Sequence, residues 1–135
     1  MTAAFVYDAP LAHLRWGQGE RVVVLLHGIG GGREAWGDAI SGTGSALAES
    51  GFLAIAPDLP GYGDSLSIAP YDMAGLAGAV GALIATLATR RCALVGHSMG
   101  GMVAQELMAW FPDRVQALVL SATSPAFGKP DGAWQ

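Results

Sequence analysis

Five residues in this chain, Gly96-His97-Ser98-Met99-Gly100, fit the pattern G-x-S-x-G. The pattern places one serine on a sharp strand-to-helix turn that lifts its hydroxyl above a sheet edge. Its context fits. Cys92–Val95 is a short apolar run bounded by glycine and reads as a buried strand. The residues from Met102 to Met108 carry helix formers with apolar side chains at helical spacing. Gly96 and Gly100 relieve the crowding of a strained turn. Ser98 would stand at a helix N-terminus, where free N–H groups and the helix dipole favour developing negative charge. The chemistry such a serine could do is nucleophilic attack on a carbonyl. The alternative is a Gly/Ser turn with no chemistry.

A second stretch belongs with the first. Arg21–Leu26 is β-branched and almost wholly apolar, as expected of a strand buried on both faces in a parallel sheet. His27-Gly28-Ile29-Gly30-Gly31-Gly32 follows at once. A phosphate-cradling loop would need G-K-[ST] or G-x-G-x-x-G, and neither is present. A loop that points the Ile29 N–H at an oxyanion fits better. His27 opens it and is expected to pin it through a hydrogen bond. His97 reads as structural, and His13 as half-exposed on an early strand.

The elements that must position these groups follow in order. Phe5–Tyr7 and Leu11–Trp16 are short strands parted by Pro10. Glu34–Ser50 reads as a helix interrupted by glycines, Phe52–Ala56 as a buried strand, and Leu59–Ser65 as turns. Tyr71–Thr89 reads as a Gly/Ala helix whose Gly75, Gly78 and Gly81 share one face, expected to press closely on a sheet. The helix after the serine runs to Phe111 and stops at Pro112-Asp113, Val115–Leu120 is a last strand, and Ser121–Gln135 is loop. The order β, β, β, α, β, α, β, α, β implies an α/β fold: a mostly parallel central sheet with helices on both faces. Sites in such sheets lie beyond the carboxyl ends of the strands, so the His27 and Ser98 loops open on one edge.

Composition narrows the class. Of 135 residues 52% are apolar and 13% charged, and the net charge is −4, so the chain is globular and no basic patch points to nucleic acid. The lone Cys92 reads as a small core residue. Met73–Ala88 is apolar but shorter than the roughly 20 residues a bilayer needs. No signal peptide is expected from Met1–Phe5, and the expected location is cytoplasmic. No His/Cys/carboxylate cluster has metal-ligand spacing, so neither metal nor cofactor is expected.

Four segments in this order resemble the α/β-hydrolase family: His27–Gly31, Pro57–Ser65, Gly96–Gly101 and Phe111–Val115. Their details are similar to serine hydrolases such as lactonases and carboxylesterases. The resemblance implies Ser98 as nucleophile, an oxyanion hole from the Ile29 and Met99 N–H groups, and supporting roles for His27, Gly28, Gly96 and Gly100. It places the Asp58–Ser65 loop near the rim of the site. It implies acyl transfer on a small-molecule ester or lactone. Relatives acting on epoxides or alkyl halides carry aspartate at the serine's position.

The family's order of serine, acid, histidine is not completed, since all three histidines precede Ser98 or adjoin it. Asp113 falls at the wrong edge, Asp131 lies in the terminal loop, and Asp58 and Asp64 read as turn and cap residues. Residues 1–135 therefore read as the N-terminal part of a single α/β-hydrolase domain, a truncated core without its last strands, lid, acid and histidine. Alone it is expected to be inactive. The alternatives are a non-catalytic binding member of the fold and one half of a split hydrolase. Val115–Leu120 would be an unguarded apolar edge open to self-association or to a complementing chain.

Overall fold

The computed structural model describes residues 2–87 and 91–125. Among these residues six strands form one sheet: β1 (Ala4–Val6), β2 (His13–Trp16), β3 (Val22–Leu26), β4 (Leu53–Pro57), β5 (Cys92–His97) and β6 (Val115–Ser121). Three α-helices connect them: α1 (Thr43–Glu49), α2 (Met73–Ala85) and α3 (Met99–Trp110). The strand order is β1-β2-β4-β3-β5-β6. β1, β2 and β4 pair antiparallel, while β4, β3, β5 and β6 run parallel. Val24 lies opposite Ile55 on one side and Leu94 on the other, and Leu94 lies opposite Leu118. The mostly parallel sheet expected from the alternating pattern is present.

All five residues of β3 are buried, as their uniformly apolar character requires of a central strand. The two-residue period divides them between two cores. Val22, Val24 and Leu26 pack with Leu76, Val80 and Leu83 of α2 and Val103 and Leu107 of α3. Val23 and Leu25 face the other way, with Trp16, Ala48, Ala54 and Ala56. Helices thus cover both faces, but unequally. Two longer helices close the first face. Seven-residue α1 contacts β2 and β4 on the second, leaving Ala93 and Val95 half-buried and Val119 54% exposed. With β1, β6 forms an edge of the sheet.

Several sequence expectations need correction. The single helix over Glu34–Ser50 is broken into a 3-10 turn at Arg33–Trp36, a glycine-bounded turn, and α1. Ile40, Ser41 and Gly42 N–H groups all return to the Gly37 carbonyl, and Gly42 sits at φ 66, outside any helix. The glycines of α2 do not press on the sheet. Leu76, Ala77, Val80, Leu83 and Ile84 take that side, whereas Gly78 faces open space and a Cβ on Gly81 would touch only the Phe111 ring. Four large buried side chains at about 2 kcal/mol each outweigh the roughly 1 kcal/mol each glycine costs. β1 starts and ends one residue earlier than expected, β2 is two residues shorter, and β5 runs two residues further, through His97. The end of the Tyr71–Thr89 helix reading and most of the Ser121–Gln135 loop, including Asp131, lie outside the described residues.

Candidate active site

Ser98 joins the C-terminal end of β5 to the first turn of α3, with φ 54 and ψ −116. A non-glycine residue there costs on the order of 1–3 kcal/mol unless its surroundings hold it. They do so on the main chain. The Ser98 N–H donates to the Ser121 carbonyl at 2.9 Å, and the Thr123 hydroxyl donates to the Ser98 carbonyl at 2.6 Å. The Gly101 N–H donates to the same carbonyl at 3.0 Å. Between Ser121 and Thr123, Ala122 is the other non-glycine residue with positive φ among those described, at 48. The residues on either side of Ala122 therefore hold Ser98 across the ends of β5 and β6. Sequence reading missed this clamp, because its partners lie 25 residues apart and carry no local pattern.

The glycines of the turn answer to close approach. A Cβ on Gly100 would stand 2.1 Å from the Leu26 carbonyl oxygen, and one on Gly96 would stand 2.5 Å from that of Gly100. Either would lift α3 off the sheet. Gly28 passes close too, its Cβ position 3.0 Å from that of Ser98. The loop after β3 and the serine turn are thus in contact, as their shared sheet edge requires.

The 27–33 loop is fixed at both ends to the 58–64 segment. His27 is fully buried. Its Nδ1 lies 2.8 Å from the Gly28 carbonyl, which can only accept, so Nδ1 carries the hydrogen and Nε2 accepts the Leu59 N–H at 3.0 Å. Burial is the main influence on its pKa and pulls it below the ordinary 6.5, against the hydrogen bond to Gly28 and the charges of Asp58 and Glu34. His27 is thus a neutral strut with both nitrogens occupied. At the other end the Arg33 N–H donates to the buried Asp58 carboxylate at 2.8 Å, and the Arg33 guanidinium pairs with Asp58 and with Asp64. Arg33 also stacks on Phe5. Its burial opposes the charge, but the two carboxylates outweigh burial and raise its pKa. The role of Arg33 was not read from sequence. The signal was a lone cation just after the glycine loop, with two aspartates in the next loop.

Between these posts Ile29 is exposed, and it shares with Ser98 and Met99 a cavity of about 280 Å³. Tyr71, Asp72, Met73, Leu76 and Met102 complete its lining. The Ser98 hydroxyl has no hydrogen-bond partner among the described residues. The structure thus brings Ser98, Ile29 and Met99 together, with Gly28, Gly96 and Gly100 packed around them and His27 behind. The Asp58–Ser65 loop, expected at the rim, stands one layer back. It lines none of the cavity but holds His27, Arg33 and, through the Pro60 carbonyl, the Tyr71 hydroxyl at 2.7 Å.

The remaining titratable groups stand apart. His13, expected half-exposed, is fully buried: Nδ1 donates to the Leu11 carbonyl at 2.7 Å and Nε2 accepts from Arg15 at 2.9 Å. Its internal hydrogen bonds make that burial tolerable. His97 is exposed, its Nδ1 3.2 Å from the Ser121 hydroxyl. Asp113 lies in the turn leading into β6, at the opposite end of the sheet from Ser98. Cys92 is buried and its thiol is pushed up to about 11, chiefly by burial. Among the described residues no three His, Cys, Asp or Glu side chains gather as a metal site would require, and no helix is long and apolar enough to cross a membrane.

Comparison with known proteins gives a consistent picture. Residues 21–134 match a family model described as alpha/beta hydrolase fold. The chain is 33% identical over 125 residues to a pimeloyl-[acyl-carrier protein] methyl ester esterase of Pectobacterium carotovorum, covering 90% of this chain and 46% of that protein. An epoxide hydrolase from Vigna radiata superposes with a TM-score of 0.80 at 29% identity, over 96% of this chain and 41% of the other. A thioesterase domain from the curacin biosynthetic pathway does so with 0.78 at 26% identity, over 97% and 49%. The chain spans less than half the length of each of these relatives.

Proposed function

The chain belongs to the α/β-hydrolase family, and on that premise we propose that it is the serine-bearing part of an acyl-transfer hydrolase for small esters or lactones. The observation that carries the proposal is Ser98 itself. It is held at φ 54 by a main-chain clamp, with its hydroxyl unpaired among the described residues and beside Ile29 and Met99. A turn of that cost has no use in a plain connection.

The Ser98 oxygen attacks the carbonyl carbon and gives up its proton. The carbonyl oxygen becomes an oxyanion received by the Ile29 and Met99 N–H groups. Each such donor is worth about 3 kcal/mol of barrier. Collapse expels the alcohol, or opens the lactone ring, and leaves an acyl-serine that water then hydrolyses at the acyl carbon. Epoxide opening suits this residue poorly despite the epoxide hydrolase likeness. A serine attacking an epoxide carbon would leave an ether, which water cannot release, whereas a carboxylate leaves an ester.

The proton acceptor is the missing part. His13 and His27 have both ring nitrogens engaged. We assign the base and its carboxylate partner to polypeptide outside these 135 residues, which alone turn over slowly. The apolar β6 edge and the bare strip beside it favour a second reading, in which a complementing chain adds a strand there and supplies the base.

Both readings share one test. Incubation with p-nitrophenyl butyrate and added imidazole releases up to one equivalent of nitrophenolate per chain in a burst, and Ser98→Ala abolishes the burst. Equal bursts from the two chains overturn the proposal.

A further inference from the structure

The cavity beside Ser98 has an uneven chemistry. Leu76 and Met99 belong to the main core and Met73 packs on it, so the floor is continuous with the apolar interior. Met73, Met99 and Met102 are three of the chain's five methionines. Unbranched thioether side chains reshape around a flexible apolar guest, where branched ones would impose a fixed outline. The Tyr71 hydroxyl is committed to the Pro60 carbonyl, which leaves its ring as wall. One ionised side chain lines the cavity among the described residues. It is Asp72, which caps α2 by accepting the Gly75 N–H at 2.7 Å. No cation among the lining residues balances it.

We propose that this cavity is an acyl subsite for an uncharged, unbranched aliphatic chain, and that Asp72 selects against chains ending in a carboxylate. The proposal rests on Ser98 being the acyl acceptor, since that is what makes the guest an acyl group. The space of about 280 Å³ holds some nine waters at roughly 30 Å³ each. A methylene is of similar bulk, so a chain of roughly eight carbons fills it. A carboxylate tail would meet the like charge of Asp72, which its cap bond holds at the exposed rim with no cation among the lining residues.

The test uses the Ser98→Ala chain, which cannot be acylated, with methyl-¹³C methionine. It is titrated with methyl esters of linear four-, six- and eight-carbon acids, and with the monomethyl ester of the linear eight-carbon diacid. The Met73, Met99 and Met102 methyl resonances are expected to move while Met108 stays. Affinity is expected to rise about fourfold per methylene, the equivalent of about 0.8 kcal/mol. The carboxylate-ended ester is expected to bind several-fold more weakly than the neutral one. Asp72→Asn, which keeps a competent cap, is expected to narrow that gap. Affinity independent of chain length, shifts at Met108 alone, or equal binding of the charged ester overturns the proposal. Because no step uses the serine hydroxyl, failure here is distinct from failure of the Ser98 assignment, which acylation of the unaltered chain reads.

Discussion

Of this chain's three histidines two are buried struts and one is exposed, and none lines the cavity. His13 and His27 are buried and neutral, each hydrogen-bonded through both nitrogens, and burial pulls both pKa values below 6.5. A depressed histidine pKa fixes the sign of the pH dependence. Between the folded and unfolded values the unfolded chain holds the extra proton, so stability rises with pH. Their contribution is complete above about pH 6.5. It is lost as pH falls from there through the lower folded values, at up to about 1.4 kcal/mol per pH unit for each histidine. Urea denaturation at a series of pH values is expected to show this slope, and the His13→Gln/His27→Gln double variant to flatten it. Parallel curves for the two chains would mean the histidines are not protonated differentially. The sequence did disclose the place of His27, through the motif after β3. It did not disclose His13's burial, because nothing local announces that Arg15 folds back to share its ring nitrogen.

At the scale of elements, glycine has opposite meanings in neighbouring helices. Gly100 of α3 lies where a methyl group would collide with the Leu26 carbonyl, while Gly78 of α2 faces open space. Gly100→Ala is therefore expected to destabilise the chain by about 3 kcal/mol, and Gly78→Ala to stabilise it by up to about 1 kcal/mol. Thermal denaturation of the two variants checks both signs. A three-residue repeat of glycine suggested a helix pressed to the sheet, and the reading failed because small residues also mark a helix face left outside. β3 with its glycine loop, and β5 with the serine turn, were each legible because an apolar run and the glycines that follow it sit within about a dozen residues along the chain. The Arg33 bridge and the Thr123 clamp span 25 residues each and were not.

Over the whole molecule, the asymmetry of the sheet is the main feature. β4 contributes to the cores on both faces, whereas Val119 and Leu120 stand 54% and 43% exposed on an edge strand. Exposed apolar edges associate unless a charge guards them. Sedimentation velocity is expected to show concentration-dependent self-association that Val119→Lys weakens, and equal association of the two chains would place the contact elsewhere. The alternation of strands and helices made the parallel sheet legible, but the thin cover of its second face follows from how short α1 is, which the Gly37–Gly42 turn decides. What the architecture delivers is one serine, strained and clamped at the end of β5, in a cavity it shares with Ile29 and Met99. The most direct measurement of that claim is peptide mapping by mass spectrometry after prolonged exposure to a fluorophosphonate with imidazole present. The account expects a single adduct on Ser98, absent from Ser98→Ala. An unmodified Ser98, or an adduct of equal yield on another residue, would contradict it.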